Sequence, residues 1–173
     1  MIDNGILGPD DRVELLEGLL VRKMATNSPH RVVKLLLGNA LRPILPPGWF
    51  QDEQDPVTTD DSEPEPDITA LRGEPRDYLQ RHPMAADTGK LIEVSDSSLK
   101  RERDKRCTYA RAGFSIYWIV NIPERQIEVY TEPSGPCATP DYAKVIIYKD
   151  GDSVPVVIDG KEVGRINVKD VLP

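Results

Sequence analysis

The 173-residue chain is 39% hydrophobic and 29% charged, enough apolar material for a single domain over residues 1–173 with a real core. No run approaches the ~18 apolar residues of a membrane span, Met1 to Leu7 lacks a basic-then-apolar leader pattern, and Cys107 and Cys137 form no CxxC or paired framework, so a cytoplasmic protein without membrane contact is expected. A net charge of −7 argues against a general duplex-coating protein but leaves room for an enzyme with a local basic patch, such as Lys100, Arg101, Arg103, Lys105, Arg106 and Arg111.

In chain order, residues 12–24, RVELLEGLLVRKM, read as two short strands about a Glu17-Gly18 turn, with a short amphipathic helix as the alternative. A helix follows, with Ser28 as its cap and Pro29 at its first position. Its apolar face is Val32, Val33, Leu36, Leu37, Ala40 and Leu41. Residues 49–59, WFQDEQDPVTT, and 65–72, EPDITALR, read as strands flanking an acidic loop, Asp60 to Glu65. KLIEVSD, 90–96, is a strand of the buried kind. The serines Ser95, Ser97 and Ser98 suit a cap for the next helix, Arg101 to Ala112, which Gly113 stops. SIYWIVN and QIEVYTE form a hairpin across Ile122 to Arg125, with Tyr117 and Trp118 in the core. AKVIIYKD, SVPVVID and EVGRINV close the chain as strands, the last two joined at Asp159-Gly160. The order is that of a mixed α/β domain with a central sheet.

Glu93 stands in the middle of an apolar strand. A buried carboxylate must find a cation, a metal or hydrogen bonds. Asp67 opens a neighbouring strand and Lys105 lies on the following helix. Two carboxylates on adjacent strands can hold a hard divalent cation such as magnesium, and a nearby lysine can stabilise a water-derived nucleophile. That set suits phosphodiester hydrolysis. A structural ion pair of Glu93 with Lys105 or Arg106 would satisfy the same residues without function. His30 reads as a solvated or helix-packing histidine, His82 as a plain loop residue, Glu17 as a turn residue and Asp96 as a turn or cap rather than a second metal ligand. Two histidines and two scattered cysteines make no zinc site. No P-loop, GxGxxG or GxSxG is present.

Pro66-Asp67 and Glu93 resemble the PD-(D/E)xK nuclease superfamily, with Ser95 in the place of its usual lysine. The ordered segments RVELLEGLL, SPHRVV, SEPEPDI, LIEVSDSSL, YARAGFSIYWIVN and VIDGKEVGRINV are similar, from about residue 12 to the end, to the Uma family of predicted bacterial restriction endonucleases. The resemblance implies a restriction-endonuclease-like mixed sheet flanked by helices, with β-hairpins at both ends. It implies that the lysine comes from the helix after the second acid, four residues before Tyr109, which is Lys105. Arg101 stands where that family has Asp, and Glu102 is the nearest acid; counted from the strand side, Arg106 would take the lysine position. Glu14 matches a family glutamate that could join the site as an extra ligand or water-positioner. The implied activity is a magnesium-dependent endonuclease on DNA, with manganese as an alternative ion, Asp67 and Glu93 holding the metal and Lys105 stabilising the hydroxide. A homodimer is expected, with VIDGKEVGRINV as a contact element. The alternative is a catalytically inactive nuclease-fold module that binds nucleic acid or a protein partner.

Overall fold

Glu17 and Gly18 take positive φ angles of 49° and 75°, which turn the chain tightly between β1 (Val13–Leu16) and β2 (Leu19–Arg22). The first segment is therefore a hairpin and not a helix. The computed structural model describes residues 13–23 and 27–172. Met1 to Leu7, where no leader is expected, lies outside them, as do Arg12 and Met24 of the first hairpin.

Helix α1 runs Ser28–Leu41. Its cap is Asn27 and not Ser28: Asn27 keeps an extended backbone and its Oδ1 accepts from the His30 amide at 3.1 Å. Ser28 is thus already helical, and Pro29 is the second helical residue. The buried stripe is Val33, Leu37, Gly38 and Leu41, a one-turn repeat of the kind that packs as a ridge. Val32 and Leu36 fall outside that ridge and are 44% and 38% exposed.

Strand β3 is Trp49–Asp52 and β4 is Ile68–Arg72, both shorter than the sequence suggests. The chain between them carries Pro56, Pro64 and Pro66, which cannot donate to a ladder. Glu63 bridges Leu15 instead and ties this segment to the first hairpin. Strand β5 is Thr88–Ser95 and helix α2 is Leu99–Ala112. The helix starts two residues earlier than expected. Ser98 holds its cap position but makes no side-chain cap bond, so the serine run does not cap it through a hydroxyl. Gly113 ends it at φ 83°. Strands β6 (Ile116–Asn121), β7 (Gln126–Pro133), β8 (Tyr142–Lys149), β9 (Ser153–Ile158) and β10 (Lys161–Asn167) follow. Val168, expected in the last strand, opens the short helix α3 (Val168–Val171).

Six strands form one sheet in the order β3-β4-β5-β6-β7-β8. All its neighbours are antiparallel except β5 and β6. Helix α2 makes the crossover between those two, as a parallel pair requires. Two apolar clusters show how the layers stack. On one face Ile68, Ile92, Val94, Trp118, Val120 and Ile127 meet α1, α3 and the β9–β10 hairpin. On the other, Leu91, Tyr117, Ile119 and Tyr130 meet Tyr109, Ala110 and Phe114 at the end of α2. Both Tyr117 and Trp118 are fully buried. No helix among the described residues is long and apolar enough to cross a membrane.

Candidate active site

Side chains alternate along β5. Ile92 and Val94 point to the α1 face, so Glu93 points to the α2 face, where its strand partner Ile119 lies. Ile68 pairs with Ile92. One step further along the same antiparallel register brings Asp67 opposite Glu93. Asp67 Oδ2 accepts from the Val94 backbone amide at 2.8 Å and from His30 Nε2 at 3.0 Å. Both acids line the same cleft, at the end of β5 that runs into α2.

The helix supplies the cation. Lys105 Nζ lies 2.8 Å from Glu93 Oε1 and 3.2 Å from Glu14 Oε2. It is also 3.4 Å from Glu102 Oε2, one turn back on its own helix. The Tyr109 hydroxyl donates to the same Glu93 oxygen at 3.1 Å. Asp67, Glu93, Lys105 and Glu14 all line one cleft of about 70 Å³, room for several waters. Six carboxylates (Glu14, Glu65, Asp67, Glu93, Asp96, Glu102) line it against Lys23, Arg101 and Lys105.

That imbalance appears in the titration behaviour. Burial pushes the Glu93 carboxyl up to about 8; Lys105 pulls it down, while Glu102 and Asp67 raise it further. Burial also opposes the charge on Lys105, but Glu93 and Glu102 outweigh it and hold the ammonium above its ordinary value. Burial, followed by Glu93 and Glu102, raises the Tyr109 phenol well above its normal range, so it stays a donor. Burial first, and neighbouring carboxylates second, keep the proton on Glu93, while the same carboxylates keep Lys105 charged.

The register question at α2 has a geometric answer. Lys105 is 5% exposed and reaches the cleft. Arg106 turns away toward Asp141 at 3.4 Å and the Tyr130 ring. Arg101, where an acid was expected, forms an ion pair with Glu14. Glu14 is fully committed: Oε1 to Arg101, and Oε2 to Lys105 and the Glu65 amide. It anchors the two cations. Ser95 is buried on the same face as Glu93, its hydroxyl without a partner among the described residues, and is too short to replace a lysine. Glu17 is a turn residue that also pairs with Arg111. Asp96 accepts from the Asn27 side chain, tying the end of β5 to the start of α1.

His30 is the site residue that sequence reasoning passed over. Its ring bonds Asp67 and lines the cleft, with Nδ1 buried and without a partner among the described residues. The signal was a histidine in the first turn of a helix beginning SPH; its meaning depends on Asp67, 37 residues away.

The residues fit a hard divalent cation. No three His, Cys, Asp or Glu side chains among the described residues are disposed as a metal cage. Magnesium does not need one, since it binds through one or two carboxylates and keeps several waters. The hydrogen bonds to Asp67 fall on Oδ2 and those to Glu93 on Oε1. Among the described residues nothing bonds Asp67 Oδ1 or Glu93 Oε2, which stay available as hard oxygen donors.

Comparison with known proteins bears on the fold and the family. The fold is similar to a crystal structure described as "a putative nuclease belonging to DUF820" from Anabaena variabilis ATCC 29413, with a TM-score of 0.75 over 98% of this chain and 94% of that one, at 14% identity. That likeness concerns the fold. No curated protein matches the chain. The family model described as "Putative restriction endonuclease", Uma2, matches residues 4–160. With nearly its whole length matched, the chain belongs to the Uma2 family.

Proposed function

We propose that the protein is an endonuclease that hydrolyses DNA phosphodiester bonds with a magnesium ion, or manganese in its place, held by Asp67 and Glu93 in a PD-(D/E)xK-type site. The observation that carries this reading is the meeting of Lys105 from α2 with Glu93 from β5, inside a cleft that Asp67 also lines. A bound dication would polarise the phosphoryl group and lower the pKa of attacking water.

The chain's own residues supply the rest. His30 and the Val94 amide fix Asp67 Oδ2, which aims the opposite oxygen into the cleft. Tyr109 does the same for Glu93. Lys105 keeps a positive charge where charge would build on the pentavalent phosphorus, and can hold the hydroxide by hydrogen bond. Glu14 and Glu102 position the lysine and sustain its charge.

The test is nicking of supercoiled plasmid, with linear duplex and single strands in parallel, under magnesium or manganese. Cleavage is expected, lost with chelator. It should fall roughly 100-fold or more in Asp67→Ala, Glu93→Gln and Lys105→Met, with circular dichroism unchanged. No cleavage of any substrate by wild type would count against the reading.

One observation favours the second reading, an inactive module that binds nucleic acid or protein: Glu93 Oε1 is already taken by Lys105 and Tyr109. Manganese calorimetry separates the two. Binding that vanishes in Asp67→Ala and Glu93→Gln supports a metal site; heat that is absent or indifferent to both supports the module.

A further inference from the structure

Strand β8 is an edge of the six-stranded sheet and eight residues long. Among the described residues nothing pairs with its outer side. Val145, Ile146 and Ile147 are 50%, 40% and 48% exposed, so both faces of the strand are apolar at its centre. Proteins normally protect such an edge with a bulge, a proline, a charge or shortness. Here the ladder to β7 runs without a shift from Gln126↔Lys149 to Thr131↔Lys144. The four residues Val145 to Tyr148 include no charge and no proline.

We infer that β8 is a self-association edge, at which a second copy of this chain adds its own β8 antiparallel and extends the sheet across a twofold axis. A twofold perpendicular to a sheet keeps every side chain on its own face. Only registers centred on a residue are therefore allowed, because opposed residues must share a face. Centring on Val145 opposes Ala143 to Ile147 and Lys144 to Ile146. It also brings Asp141, which precedes the strand and faces Arg106 in its own chain, level with Lys149, and does so twice by symmetry. Moving the centre to Lys144 sets that lysine against its own copy; moving it to Ile146 leaves Lys149 facing Ala143. Charge complementarity selects the Val145 register. An isologous contact of this kind closes at two copies and leaves no further β8 edge.

The C-terminal hairpin suits this role less well. Val154, Val156, Ile158 and Ile166 on β9 and β10 are buried in the chain's own core, and Gly164 packs against Ile44. The inference does not depend on the nuclease reading, and its test uses no DNA.

Wild-type protein in analytical ultracentrifugation should sediment at twice the 19.3 kDa chain mass, and Val145→Lys, which sets two lysines face to face, should weaken the dimer at least tenfold. Residues opposed in an antiparallel ladder lie about 4.5–5.5 Å apart at Cα, within disulfide range. In a Cys107→Ser, Cys137→Ser background, Val145→Cys should therefore oxidise to a covalent dimer, and Ile147→Cys, opposed to Ala143, should not. Both β8 positions are solvent-exposed, and circular dichroism checks that each variant is folded. A monomeric wild type at about 100 µM would overturn the inference, whether another segment of the chain or nothing covers the edge. So would a dimer that survives Val145→Lys, or one that cross-links equally well through residue 147.

Discussion

Lys105 Nζ sits 2.8 Å from Glu93 Oε1, and the same nitrogen faces Glu14 and Glu102 at 3.2 and 3.4 Å. One ammonium thus serves three carboxylates delivered by β1, β5 and α2. Removing a single partner from a buried ionic group leaves the others uncompensated. Lys105→Met should lose about 3 kcal/mol of stability together with all cleavage. Adding Glu93→Gln to that variant removes one of the stranded charges and should restore part of the stability, but no activity. Urea unfolding beside plasmid nicking separates the two effects. Wild-type cleavage by the double variant would contradict the assignment.

His30 Nε2 bonds Asp67 Oδ2 at 3.0 Å. Its role is to position an acid that would bind metal, and loss of such a partner typically lowers metal affinity 10–100-fold. His30→Ala should weaken manganese binding by that factor in calorimetry. The melting temperature should shift by only a few degrees, because the ring sits at the helix start and not in the main core. An unchanged affinity would make His30 a packing residue.

What the sequence made legible follows from how local each signal is. Glu17-Gly18, Asp159-Gly160 and Gly113 announced turns or a helix end by their own backbone chemistry, and all of them take positive φ. The cap of α1 was misplaced by one residue because Asn27 and Ser28 are both good caps, and only the backbone at Asn27 decides. The acids were legible because a carboxylate in an apolar strand demands an explanation. His30 and Arg101 were not, since their partners, Asp67 and Glu14, are 37 and 87 residues distant. Arg101 even looked like a fault in the pattern; in the fold it satisfies Glu14.

Lys90, on the opposite face of β5 from Glu93, gave no sign in the sequence. It is 1% exposed, its amine has no hydrogen-bond partner among the described residues, and it lies 4.1 Å above the Trp118 ring. Burial lowers its pKa to about 7 from an ordinary 10.5. Between those values the unfolded chain holds a proton that the folded chain lacks, so stability should rise with pH from about 7 to 10.5. Below about 7 both states are protonated and the whole penalty is present. Lys90→Met should remove this slope and stabilise the protein at pH 6 by up to about 4 kcal/mol. Urea unfolding at pH 6 and pH 9 checks it; a variant that keeps the wild-type slope would show that Lys90 is not its source.

Gly113 ends α2 at φ 83° with nothing within 4 Å of an added Cβ. Gly113→Ala should therefore cost only the backbone term, about 1 kcal/mol, seen as a lowered melting temperature with cleavage retained. A much larger loss would mean that the end of α2 is packed more tightly than its open surroundings imply.

The central claim is that Asp67 and Glu93 share one divalent ion beside Lys105. A crystal grown with manganese and measured at its absorption edge tests it most directly. The account predicts one anomalous peak about 2.1 Å from an oxygen of each carboxylate, with Lys105 still alongside. An empty cleft with the Lys105–Glu93 pair closed, or a peak that touches neither acid, would contradict it.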